Sequence, residues 1–408
     1  MSGSSRIRNR ESRTWLRMTV FIPCLLVCHA TAFAQADPLA AASSTPRYPG
    51  SFIATASMNA ARACHTATAL KDGTVLIVGG YGNNLVTHAT AELYDPLAGS
   101  FSPAGSMRVP RQGHTATLLN DGTVLITGGG IAAYNSVYSS AELYDPATQS
   151  FASTVSPMHT ARAYHTATLL ADGTVLIAGG LDSSGHSLAR AELYDPATRT
   201  FTLLSHMRTG HAYHTATLLD DGQVLIAGWT RKAELYDPAT QSFGKKLIKL
   251  RPLRSQATAT LLVNGEVLIA GGINTAAIVS SYGNSEVAES LSRTDFYDGT
   301  SGTFSKGPHL ITSRFGATAT LLLSGDVLII GGIHTSQRSS SNLVIASLFG
   351  AEGYSAADGT FSKGPSMAVA RDCHTASLLD NRDVLVVGGE TTNLGSQVAQ
   401  RSAELFVP

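Results

Sequence analysis

Charge is scarce in this sequence. Only 14% of the 408 residues are charged, and 29 basic side chains cancel 29 acidic ones. A nucleic-acid binder needs a basic excess, and a disordered chain combines high net charge with little apolar content; neither fits a neutral chain that is 43% hydrophobic. Helical patterning is missing as well. So are a Ser-His-Asp set, a phosphate loop, a paired-carboxylate glycosidase signature and a zinc signature, which removes the enzyme classes most readily read from sequence. Length alone suggests two or three domains, but a repeat would override that prior.

The first 34 residues read as a signal peptide. Arg6, Arg8, Arg10, Arg13 and Arg17 precede an apolar stretch from Val20 to Val27, and Ala32-Phe33-Ala34 is a small-x-small cleavage pattern. The stretch is short for a membrane span and contains Pro23. The expectation is a secreted or periplasmic protein with no integral span after cleavage, a linker over 35–50 and one body over 51–408. Removing the leader takes five arginines and Glu11, leaving 24 basic against 28 acidic groups. Of four cysteines, Cys64 and Cys373 remain, in a compartment where disulfides persist.

One pattern fills the body seven times. His65-Thr66-Ala67-Thr68 returns from His114, His165, His214 and His374, and Ala257 and Ala317 open the same slot. A turn follows each copy, such as Asp72-Gly73, Asp121-Gly122 or the degenerate Asn381-Arg382, and reads as a two-residue hairpin. Then come a β-branched run ending in Gly-Gly, a variable loop, a strand ending in Tyr-Asp-Pro, and a last strand opened by Phe. The pattern predicts an all-β chain of seven four-stranded units. The last copy stops after its third strand, and Gly50 to Met58 matches the fourth strand at Gly99 to Met107. The N-terminal strand is therefore expected to complete the last unit and close a ring.

The unit length and the Gly-Gly resemble the kelch repeat, which implies a seven-bladed β-propeller of four antiparallel strands per blade. Strand parity puts the Asp-Gly and Asp-Pro turns on one face. The variable loops share the other face with the starts of the innermost strands. The long excursions from Ile273 to Thr294 and Ile333 to Ala351 lie there, so function is expected on that face.

Near it each copy carries Arg62, Arg111, Arg162, His211, Arg254, Arg314 or Arg371. These form either a basic collar that grips anions, as the kelch resemblance implies for acidic peptides, or one structural pair per blade with Glu92, Glu142, Glu192, Glu234, Asp295, Glu352 and Glu404. Reuse in every copy favours the pair. His65, His114, His165, His214 and His374 face a neighbouring blade and are expected to be buried and hydrogen-bonded to backbone; His165 and His214 carry metal binding as the alternative.

The repeat is also similar to the central domain of galactose oxidase-type copper radical oxidases. That resemblance implies copper held by a Tyr-His doublet, and a Cys and a Tyr joined from successive blades. The corresponding positions are Cys64, Gly113, Tyr164, Tyr213, Gln256, Gly316 and Cys373. Tyr164-His165 and Tyr213-His214 match the doublet, but no Cys precedes a Tyr in the required order, so no copper-radical activity and no cofactor are expected. Cys64 and Cys373 become neighbours on closure, where a disulfide would contribute up to about 4–5 kcal/mol if relaxed; two separate thiols are the other reading. Lys245 to Arg251 holds three of the seven lysines, as an anion-binding patch or a protected edge strand.

The resulting expectation is a monomeric, non-catalytic scaffold binding a protein or glycan on its variable face, through Arg62, Arg111, Arg162, Arg254, Arg314, Arg371, Tyr164 or Tyr213. A sugar-acting enzyme, either a degenerate copper oxidase or one resembling sialic-acid mutarotases, is the alternative.

Overall fold

The computed structural model describes residues 48–131, 136–274, 289–339, 342–393 and 396–408. The expected signal peptide over 1–34 and the expected linker over 35–50, apart from residues 48–50, lie outside the described residues. Seven antiparallel sheets of four principal strands form the blades of a propeller. Blade one shows the order: Thr66–Ala69, Val75–Val78, Thr90–Asp95 and Ser100–Ser106, from the axis outward. The described part contains a single 3-10 turn, Asn83–Leu85, and no helix long and apolar enough to cross a membrane.

Closure runs as the internal match predicts. Ser51–Ala54 pairs antiparallel with Ala403–Val407, Phe52 opposite Phe406 and Ala54 opposite Glu404, making the outer strand of blade seven. Tyr48 extends this contact to blade six: its N–H donates to the Lys363 carbonyl at 2.8 Å and its hydroxyl to Asp326 at 3.1 Å. Its ring lies where a Cβ on Gly353 would stand, 2.0 Å from Tyr48 Cδ2.

The second strand of each blade is apolar throughout because neighbouring blades cover both of its faces. In blade one, Val75 and Ile77 pack with Leu385 and Val387 of blade seven, while Leu76 and Val78 pack with Val124 and Ile126 of blade two. The Tyr of each Tyr-Asp-Pro is buried against the Phe opening the next strand; the Tyr94 and Phe101 rings stand 4.9 Å apart. The Gly-Gly pair serves the same packing. Gly80 donates to the Arg111 carbonyl of blade two at 2.8 Å, and a Cβ on Gly79 would stand 2.5 Å from that oxygen. The equivalent bond recurs at all seven interfaces, ending with Gly389 to Arg62.

The turns differ from the two-residue expectation. Gly73 donates to the Leu70 carbonyl and Leu70 to the Thr74 carbonyl, so three residues make the connection, with Gly73 left-handed at φ +83°. The Asp72 carboxylate accepts the Thr74 N–H and hydroxyl. In blade seven Arg382 occupies the glycine's place at φ +80°.

Two further departures concern the variable face and blade four. The blade-six excursion is partly a hairpin, Ile333–Ser339 with Asn342–Ser347, and joins Glu390–Asn393 and Ser396–Ala399 of blade seven in an eighth sheet. Residues 275–288 of the blade-five excursion lie outside the described residues. In blade four the lysine-rich segment interrupts the outer strand: Ser242–Phe243 pairs first, and Ile248–Lys249 rejoins the third strand after a gap holding exposed Lys245 and Lys246.

Candidate functional site

The repeated arginines are brackets within their own blades. Arg62 donates from one terminal nitrogen to the Gly79 and Thr90 carbonyls, both at 2.9 Å, and from the other to Glu92 at 3.1 Å. It thereby ties the end of the second strand to the start of the third. Arg111, Arg162, Arg254, Arg314 and Arg371 repeat the pattern with Glu142, Glu192, Asp295, Glu352 and Glu404, all at 0–4% exposure. His211 takes the place in blade four, between the Gly228 carbonyl and Glu234. The acid also holds the incoming chain: Glu192 accepts the backbone N–H groups of His159 and Thr160. Fixed this way, the guanidinium groups do not form an exposed collar. The geometry is that of the pairing alternative.

The repeated histidines lie between blades. His65 Nε2 meets the Thr375 hydroxyl at 3.0 Å, His114 that of Thr66, His214 that of Thr166 and His374 that of Thr318. His165 meets both Thr115 and Thr127. The Nε2 partner is thus a threonine hydroxyl on the preceding blade, while the expected backbone bond enters for His65 with Arg62 and for His114 with Val78. Burial drives His65, His114 and His374 down to about 3 and His165 and His214 well below the ordinary imidazole range, so all five are neutral.

What differs between blades collects around the axis. Cys64, Gly113, Tyr164, Tyr213, Gln256, Gly316 and Cys373 all have left-handed backbones, with φ between 46° and 61°. Neighbours among them are linked by N–H to carbonyl bonds, such as Tyr213 to Tyr164 at 3.1 Å and Cys64 to Cys373 at 2.9 Å. The seam between first and last blades is therefore held here by backbone, and the two cysteines are not bridged. The Tyr164 ring lies over Gly113, where a Cβ would stand 2.8 Å from it. It stacks on Tyr213 at 4.3 Å and 26°, and Tyr213 continues to Trp229 at 6.0 Å and 32°. All three rings are partly exposed.

Trp229 was not a sequence candidate. It replaces the second glycine of blade four and keeps the left-handed backbone, φ +64°, that glycine adopts in the other six blades. A non-glycine residue there costs about 1–2 kcal/mol. Substitution of that glycine was the available signal.

The copper set of the oxidases does not fit these residues. His165 and His214 of the two doublets point between blades and are engaged by threonine hydroxyls, away from the tyrosines beside them. Cys64 is followed in the ring by Gly113.

Comparisons with known proteins agree with the architecture. The Kelch motif family model matches residues 61–108 and 162–208. A fungal alcohol oxidase of the AA5 family, solved in complex with copper, superposes with a TM-score of 0.68 at 18% identity, covering 88% of this chain and 76% of its own. The structure of YjhT superposes with a TM-score of 0.55 at 15% identity, covering 75% of this chain and 98% of its own. No curated protein matches by sequence. The chain is a closed seven-bladed β-propeller that carries two matched Kelch motifs, and its fold is similar to that of the AA5 alcohol oxidase.

Proposed function

We propose that this protein is an exported, non-catalytic scaffold that binds its ligand at the axial mouth of the variable face, and that the ligand is a glycan. The reading rests on one observation: the Tyr164, Tyr213 and Trp229 rings form a partly exposed stack beside the axis, while the repeated arginines and histidines are engaged inside the fold. The exposed edges of the two tyrosines and the partly exposed Trp229 ring present an apolar surface with polar tips, which suits the C–H face of a sugar ring. Left-handed strain at Trp229 supports a functional reason for its presence. Export follows from the leader-like segment over 1–34.

A glycan-array screen of the purified chain tests this. The expected result is a defined set of bound glycans, with affinity for the best of them falling at least about tenfold in Tyr213→Ala, a loss of roughly 1.4 kcal/mol. Array binding unchanged by Tyr213→Ala would remove the site. Capture of a protein partner without glycan binding would favour the protein-scaffold alternative. Peroxide release from a primary alcohol would instead favour an oxidase.

A further inference from the structure

Blade seven breaks the repeat at two facing positions. The residue before each axial position is Ala63, Gln112, Ala163, Ala212, Ser255 or Phe315 in six blades and Asp372 in the seventh. The residue after each Gly-Gly or Gly-Trp is Tyr81, Gly130, Leu181, Thr230, Ile273 or Ile333 in the same six and Glu390 in the seventh. These positions meet across an antiparallel bridge: Ala63 faces Tyr81, Ala163 faces Leu181, and Asp372 faces Glu390. Two backbone bonds, of 2.9 and 2.8 Å, join Asp372 and Glu390 in both directions. Opposed residues in such a pair project to the same side.

The two acids are 0% and 1% exposed, in a fold that otherwise gives this bridge no charge. Two acidic side chains buried directly opposite one another call for a compensating partner. Cys373, the next residue along the chain, brings a thiol to the same place. One ligand atom from each of Asp372, Cys373 and Glu390 lies within 4.8 Å of the others. This is the only such group among the described residues.

Surrounding groups orient this set. The Ser347 hydroxyl donates to Asp372 Oδ2 at 2.5 Å and the Thr392 hydroxyl to the same oxygen at 3.1 Å; Gln397 Nε2 donates to Glu390 at 3.2 Å. Ser347, Thr392 and Gln397 all belong to the eighth sheet, so the elaboration of blades six and seven supplies the support. Glu390 also lines a cleft between this sheet and the blade-one loop, with Tyr81, Asn83, Asn84 and Gln397.

We infer that Asp372, Cys373 and Glu390 form a binding site for a divalent transition metal of the zinc type, independent of glycan binding at the aromatic stack. A thiolate between two carboxylates selects zinc or cobalt over calcium and magnesium, which take oxygen ligands. Three protein ligands leave a fourth position for water or a ligand oxygen. The donor set is not the tyrosine and histidine set of the copper oxidases.

The test uses the full reduced chain, stripped of metal and titrated with Zn²⁺ alone and with Co²⁺ alone. One equivalent of Zn²⁺ should survive dialysis and raise the thermal midpoint. Co²⁺ should give a thiolate-to-cobalt charge-transfer band that disappears in Cys373→Ser. Ser347→Ala, which removes the hydroxyl that orients Asp372 and also accepts the Thr392 N–H, should weaken Zn²⁺ by about 10- to 100-fold while the chain stays folded. Glu390→Gln adds a second readout: the metal-free variant should melt near wild type, and Zn²⁺ should no longer raise its midpoint. Failure of the reduced wild-type chain to retain an equivalent of Zn²⁺ would overturn the site, as would retention unaffected by Cys373→Ser and Glu390→Gln.

Discussion

Five histidines occupy one place in five blades, each with its ring nitrogen on a threonine hydroxyl of the blade before. Their burial was legible from strand parity, which turns them away from the arginine side of the strand. The threonine was not, because the repeat places a neighbour's hydroxyl there only once the ring closes. Burial has a consequence for pH. The unfolded chain takes up protons on imidazoles below about 6.5, while His65, His114 and His374 stay neutral in the fold down to about 3. Stability is therefore complete above about pH 6.5 and falls as pH drops through that window. Each histidine adds up to about 1.4 kcal/mol per pH unit to the slope. Urea midpoints measured from pH 7.5 to 5 should decline steeply, and His114→Gln should flatten the curve. A midpoint constant over that range would contradict neutral burial.

At the scale of elements, the Asp-Gly signal and its variants located the seven turns but misjudged their length by one residue, since Gly73 lies one place beyond the bend as the left-handed residue that re-enters the strand. Arg382 holds the same conformation without glycine's freedom. Arg382→Gly should stabilise the protein by about 1 kcal/mol in denaturant unfolding; destabilisation would show that the Arg382 side chain contributes more than its backbone strain costs. The eighth sheet was not legible. Its strands Ile333–Ser339 and Ser396–Ala399 are rich in Ser, Thr and Gln, with no run of apolar alternation. They form because blades six and seven bring them together, a tertiary effect that local pattern does not carry.

At the scale of the whole molecule, ring closure was readable because Gly50 to Met58 repeats an internal strand, whereas the docking of Tyr48 over Gly353 joins residues with no shared motif. Deleting Gly50 to Met58 removes the outer strand of blade seven and the buried Met58, so the melting temperature should fall for the ring as one unit. An unchanged value would contradict closure by that strand. Residues that repeat hold the propeller, and the proposed site lies where Trp229 departs from the repeat. Trp229→Gly tests this most directly, because it restores the repeat and deletes one ring of the aromatic stack. Thermal denaturation and titration with the strongest glycan from the array should be measured on the same preparation. The account predicts a midpoint equal to or above that of wild type together with binding weakened at least about tenfold. Binding at wild-type strength, or a collapse of stability, would contradict it.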